Sequence, residues 1–153
     1  MKDQFLILRI MWEHWLQMKS NLNGKTSIEN VKVKIKTRVN RTENIKKVKN
    51  SIINITTEKT IINRTEDNYL YTIGDIELLR TISKLIKSNE ISEVANTILN
   101  KNKQDNGITF FINKQAAYHN KFHMIDENMS TLDDIEVIID TQQPDAVIDW
   151  ILN

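Results

Sequence analysis

Residues 31–39 read Val-Lys-Val-Lys-Ile-Lys-Thr-Arg-Val, and this strict alternation decides the fold. Successive side chains of a β-strand point to opposite faces, so the pattern predicts a strand with one apolar face and one cationic face. The apolar side suits a core, while the other side is exposed to water. The cationic side consists of Lys32, Lys34, Lys36 and Arg38.

Downstream of this strand, hydrophobic periodicity and turn residues predict further helices and strands. Helices are expected at about 43–53, 75–87 and 89–100, with Asn40 or Thr42, Asp75 and Asn89 as the respective caps, and a last one opens at Pro144. Strands are expected at about 54–63, 68–72, 108–115, 121–125 and 134–140. Because strands often follow one another, the prediction is an α+β fold, a mostly antiparallel β-sheet with helices packed on one face.

The N-terminal segment carries apolar residues at helical spacing from about residue 3 to residue 20. We therefore expect residues 1–24 to form a helical extension and residues 25–153 to form a single domain. The apolar run near Phe5 is too short to span a bilayer and lacks the cleavage site of a signal peptide. These features predict a cytoplasmic protein without a membrane partner, and the lack of cysteine excludes disulfides and thiolate chemistry.

The charge of the chain is unevenly distributed, although its net value is only +1. Residues 1–65 hold 14 lysines and arginines against 5 acids, a net of +9, and residues 66–153 carry a net of −8. Such asymmetry is typical of a polyanion-binding face. Two other readings stay open: the oppositely charged halves attract each other within one domain, or they pair across a dimer.

Four cations on one strand face lie about 6.6 Å apart along the strand, a spacing that suits successive phosphates. Arg41, Lys46 and Lys49 follow closely and extend the same positive field. The alternative is a solvated outer face, since lysines also protect exposed strands from aggregation.

The sequence offers no catalytic pattern, metal set or cofactor fingerprint, so we expect a protein that is not an enzyme and needs no cofactor. His119 and His123 have the spacing of metal ligands on a helix, but they fall in a predicted turn and strand without a third ligand. Phe110 and Phe111 are adjacent on a predicted strand, so one of them must face outward, where it could stack on a base.

Several stretches together resemble a conserved uncharacterised archaeal protein family over about residues 29–153. They are Ile-Asn-Lys-Gln-Ala-Ala at 112–117, Ile-Asp-Trp-Ile at 148–151, residues 74–80, and the turn after Val39. The resemblance implies a fold similar to that of the large-subunit ribosomal protein that binds 5S rRNA. It also implies homodimers and RNA binding by fold analogy. Lys114 and Gln115 are the polar members of a shared motif, and they either touch a ligand or satisfy backbone or dimer contacts.

The sequence thus leads to two main hypotheses and leaves a cryptic hydrolase as a third. The first is a non-enzymatic RNA-binding or ribosome-associated protein, and the second is a homodimeric protein-interaction module without nucleic-acid binding. The candidate RNA-binding residues are Lys32, Lys34, Lys36, Arg38, Arg41, Lys46, Lys49, Lys114 and Gln115.

Overall fold

The computed structural model describes residues 28–128 and 132–153, which form one sheet and one layer of helices. The predicted N-terminal helix lies outside the described residues. The strands are β1 (Lys32–Arg38), β2 (Asn63–Arg64), β3 (Tyr69–Gly74), β4 (Lys103–Gln104), β5 (Gly107–Ile112), β6 (Met124–Ile125) and β7 (Ile135–Asp140). The helices are α1 (Ile45–Ile55), α2 (Arg80–Ser88), α3 (Ser92–Asn102), α4 (Lys114–Tyr118) and α5 (Pro144–Leu152), and a 3₁₀ turn (Ile76–Leu79) leads into α2.

The seven strands form one antiparallel sheet in the order β2-β3-β1-β7-β5-β4, with β6 also paired to β5. The strand that carries the cationic row, β1, is therefore an interior strand between β3 and β7. This confirms the predicted α+β class and antiparallel sheet, and it means that the lysines do not guard an exposed edge.

The helices cover one face of the sheet, where alternate residues of every long strand are buried. Val33 and Ile35 of β1 are fully buried, and so is Phe110 of β5. Helix α1 adds Val48, Ile52 and Ile55 to the same core, at the spacing of one helical stripe. The opposite face of the sheet is left to solvent by the described residues.

Several predicted boundaries were wrong, among them the strand expected at 121–125, which is only Met124–Ile125. Packing explains two of the differences. The strand expected at 54–63 reduces to Asn63–Arg64, because burial of Ile55 in the core keeps the chain helical through that residue despite its β-branched neighbours. The strand expected at 108–115 ends at Ile112. The Asn113 side chain then accepts a hydrogen bond from the Ala116 N–H and caps α4, so the shared motif forms a helix.

The predicted helix starts were partly confirmed. The Asp75 side chain caps the 3₁₀ turn, and Pro144 occupies the first turn of α5. The cap of α1 is Asn44 and not Asn40 or Thr42, and the residue at the cap position of α3 is Ile91 and not Asn89. Gly107 is required by the sheet, because a Cβ at this position would lie 2.3 Å from the carbonyl oxygen of Ile139 on β7.

Candidate functional site

The solvent-facing side of the sheet, which we call the open face, presents its side chains in rows that run across the strands. One row consists of Ile73, Lys34, Ile138 and Thr109, and the next consists of Tyr71, Lys36, Glu136 and Phe111. A third row pairs Tyr69 with Arg38. The open face therefore combines cations with aromatic and aliphatic side chains.

Two tyrosines of β3 lie directly beneath lysines of β1. The Lys34 Nζ is 5.2 Å from the centroid of the Tyr71 ring, and the Lys36 Nζ is 5.6 Å from that of Tyr69. Both tyrosines are partly exposed, and so are both lysines. A cation at this distance from a surface ring is worth about 0.5–1 kcal/mol, so each pair is a weak and exchangeable contact.

Acidic residues of β7 border the cationic row on its other side. Glu136 forms an ion pair with Lys36 at 3.6 Å, and Asp140 is the cross-strand partner of Lys32. Lys34 instead lies between two isoleucines. The acidic half of the chain therefore offsets two of the four cations, and the positive character concentrates toward Lys34 and Arg38.

At the carboxyl end of β1, a groove of about 720 Å³ gathers three arginines, Arg38, Arg41 and Arg64. The Arg64 guanidinium donates to the side chain of Asn68 at 2.8 Å, while Arg41 is exposed in the loop that follows β1. The pKa of the Asp67 carboxyl is lowered chiefly by a hydrogen bond from the Thr65 hydroxyl. The positive charge of Arg38 lowers it further. Glu43 and Ile45 also line the groove, so it extends from the end of β1 to the start of α1.

The structure does not join all predicted cations into one surface. Lys46 and Lys49 are exposed on α1, which belongs to the helix layer on the opposite side of the sheet. Lys46 and Lys49 therefore do not extend the positive field of the strand on the same face of the sheet, as the sequence had predicted. Arg41 lies between the two groups, in the loop between β1 and α1.

The ammonium group of Lys114 is buried and forms hydrogen bonds within the fold. The residue is 3% exposed, and its Nζ donates to the Arg38 carbonyl at 2.9 Å, the Leu132 carbonyl at 2.6 Å and the Glu43 carboxylate at 2.8 Å. Glu43 also accepts from the backbone and side-chain nitrogens of Asn40. Three acceptors satisfy the three donors of the ammonium, so this geometry gives Lys114 a structural role and leaves no donor for a phosphate.

Gln115 is exposed beside this buried lysine, on a cavity of about 350 Å³ between α1 and α4. Lys47 and His119 line the same cavity, and the Lys47 Nζ lies 5.5 Å from the centroid of the Tyr118 ring. This cation–ring pair is on the helix side, unlike those of Lys34 and Lys36. Gln115 is thus separated from the open face and from the cationic row.

His119 and His123 are both exposed, in the turn after α4 and in the residue before β6. Within residues 28–128 and 132–153, no three His, Asp or Glu side chains come together as a metal-binding group. No helix in this described portion has the length and apolar character that crossing a bilayer requires.

Tyr69 and Tyr71 were not predicted as site residues, whereas an outward-facing phenylalanine on β5 was. Phe110 is fully buried and Phe111 lies on the open face, as the adjacent pair predicted. The alternation of Tyr69, Leu70, Tyr71 and Thr72 carried the same signal, but assigning the tyrosines to the cationic face needs the pairing of β3 with β1.

The comparisons with known proteins agree with this architecture. A sequence model of a protein family described as RNA binding matches residues 32–141. The chain is 35% identical over 120 residues to a UPF0201 protein of Methanothermobacter thermautotrophicus, covering 78% of this chain and 89% of that protein. It is 38% identical over 74 residues to a UPF0201 protein of Sulfurisphaera tokodaii, covering 48% of this chain and about half (51%) of that relative.

Solved structures show the same fold. The crystal structure of a UPF0201 protein from Methanococcus jannaschii superposes with a TM-score of 0.66 at 27% sequence identity, covering 80% of this chain and 99% of that one. A second uncharacterised UPF0201 protein superposes with a TM-score of 0.61 at 25% identity, covering 70% of this chain and 80% of the other. Both alignments extend over most of the described domain.

Proposed function

This chain belongs to the archaeal UPF0201 family, whose sequence model is described as RNA binding, and on that premise we propose that it binds RNA through the open face of its sheet. The observation that carries the proposal is the juxtaposition of cations and aromatic rings on that face, with Lys34 and Lys36 above Tyr71 and Tyr69. Lysines attract the phosphates and release counterions, while the rings provide surfaces for bases.

The proposed role is non-catalytic and cytoplasmic, as an accessory protein of RNA or of the ribosome. The arginine groove supports it, because arginines are the preferred partners of phosphate oxygens and three of them meet where β1 ends. Lys114 is left out of the proposed contacts, and Lys46, Lys49 and Gln115 belong at most to a separate patch on the helix side. The similarity to the 5S-rRNA-binding ribosomal protein remains a prediction.

The proposal is tested by titrating RNA affinity against salt for a Lys32→Ala/Lys34→Ala/Lys36→Ala variant. Each phosphate contact that is lost should reduce the slope of log affinity against log salt by about 1. The triple variant should therefore bind more weakly at low salt and respond less to added salt.

A matched control removes three exposed lysines away from the open face: Lys59→Ala/Lys84→Ala/Lys87→Ala. It changes the net charge equally, so any difference between the two variants reports location and not total charge. Unchanged RNA binding by the β1 variant, with its fold verified by circular dichroism, would contradict the proposal.

The second candidate is a homodimeric interaction module. The observation that favours it is the apolar character of one row of the open face, where Ile73 is 63% exposed and Ile138 is partly exposed nearby. Exposed aliphatic side chains of this kind are common at contacts between proteins. Both candidate functions use the open face. The first predicts that the protein binds RNA there, and the second predicts that it binds a second copy of the chain and no RNA.

A further inference from the structure

The spacing of the two tyrosines on the open face selects the kind of RNA that can use them. Tyr69 and Tyr71 are two residues apart on one strand, so their side chains leave the sheet about 6.6 Å apart. Stacked bases in a duplex repeat at about 3.4 Å along each strand. Two bases that each stack on one tyrosine are therefore spread apart, which a duplex does not allow.

The resting positions of the lysines suit an exchange with such bases. Each ammonium lies over a tyrosine ring, at 5.2 Å for Lys34 and 5.6 Å for Lys36. A cation over a solvent-exposed ring is a weaker contact than a base stacked on it. When a base stacks on the tyrosine ring, the flexible lysine moves to the phosphate of the same nucleotide. The lysine–ring contact is then replaced by a base–ring contact and a lysine–phosphate contact.

The phosphate path continues beyond the tyrosines. Arg38 is the cross-strand partner of Tyr69 and is one of the residues lining the groove at the end of β1, together with Arg41 and Arg64. A strand of RNA that passes over Tyr71 and then Tyr69 thus reaches Arg38 and the start of this groove. The open face of a sheet with a groove at its end suits an extended backbone better than the convex surface of a duplex.

Resting on the proposed function, we propose that the open face is a site for single-stranded RNA. Tyr69 and Tyr71 stack two consecutive unpaired bases, Lys34 and Lys36 hold their phosphates, and the arginine groove holds the next phosphate. Recognition by stacking tolerates any base, so the site discriminates unpaired from paired RNA more than one sequence from another.

The test compares the full chain with one fluorescent RNA of about 12 nucleotides, without self-complementarity, and with the same RNA annealed to its complement. We expect the single strand to bind at least about tenfold more tightly than the duplex. Tyr69→Ala/Tyr71→Ala should weaken single-strand binding by about 5- to 150-fold for each stacked base, and Tyr69→Phe/Tyr71→Phe should retain it, because the rings remain.

The control is Tyr118→Ala, which removes a ring that also lies beneath a lysine but faces the helix side, and it should leave affinity unchanged. Photo-crosslinking of the unsubstituted protein to RNA containing 4-thiouridine gives a readout that needs no variant to fold. Crosslinks should map to the peptide that contains Tyr69 and Tyr71.

Three results would overturn the inference while leaving salt-sensitive RNA binding intact: equal affinity for duplex and single strand, unchanged affinity of the alanine pair, or crosslinks confined to the helix side. An alanine pair that changes the mass of the particle in solution, and not its RNA affinity, would assign the face to a second copy and also overturn it. A protein that binds neither form of RNA would instead overturn the proposed function itself.

Discussion

At the scale of single residues, Lys114 shows how a charged side chain becomes part of a core. Its donors hold together the end of β1, the loop before α1 and the residue Leu132. The acceptors Arg38 and Glu43 lie 76 and 71 positions earlier in the sequence. No local pattern predicts such contacts, so the sequence left open whether Lys114 touches a ligand or satisfies backbone contacts, and the fold gives it the second role.

Lys114→Met should destabilise the protein by about 3 kcal/mol, because it leaves the Glu43 carboxylate and two carbonyl oxygens with fewer donors at a buried position. Unfolding in urea measures the change, and Lys121→Met at an exposed position serves as control. RNA affinity of the folded variant should equal that of the parent protein. A large loss of affinity without a loss of stability would return Lys114 to the RNA-binding residues.

At the scale of elements, the neighbours of β1 matter as much as β1 itself. The alternation at residues 31–39 was sufficient to predict a strand with a cationic face. It could not reveal that β3 would supply tyrosines to one side and β7 would supply acids to the other, because strand order depends on non-local pairing. The helix at the Asn113 cap was missed for a related reason, since five residues are too few to show a helical period.

Glu136→Gln should strengthen RNA binding by about two- to fivefold at low salt. The change frees the Lys36 ammonium from its ion pair and removes a negative charge that repels phosphates. Filter binding or fluorescence anisotropy measures the gain, and the gain should shrink as salt rises. Glu58→Gln removes an exposed acid outside the open face and should have a smaller effect. Equal or weaker binding by Glu136→Gln would argue against a phosphate beside Lys36.

At the scale of the whole molecule, all the proposed RNA contacts lie within residues 32–141, the part that matches the RNA-binding family model. The sequence itself shows the uneven distribution of charge. The sheet partly neutralises it, because β7 from the acidic half lies beside β1 from the basic half. The same arrangement is therefore compatible with attraction between the two halves and with binding of a polyanion. The sequence could not separate these two readings.

Deleting residues 1–24 should leave RNA affinity within about twofold of the full chain, because the proposed contacts are retained. Light scattering on both forms gives their mass, and a homodimer of the full chain would measure about twice 17.9 kDa. A truncated chain that becomes monomeric while keeping its RNA affinity would assign assembly to the extension. A tenfold loss of affinity would instead show that the extension contributes to binding.

The two outermost strands have one more consequence. Both β2 and β4 consist of only two residues, and all four side chains, Asn63, Arg64, Lys103 and Gln104, are exposed and polar. A growing fibril needs a long, flat, apolar border to which the next molecule can add its backbone, and these two strands are short and polar. A further part of the β5 edge is already paired with β6. At β2 and β4 the sheet is therefore a poor template for the addition of further molecules, even though the described residues leave one of its faces uncovered.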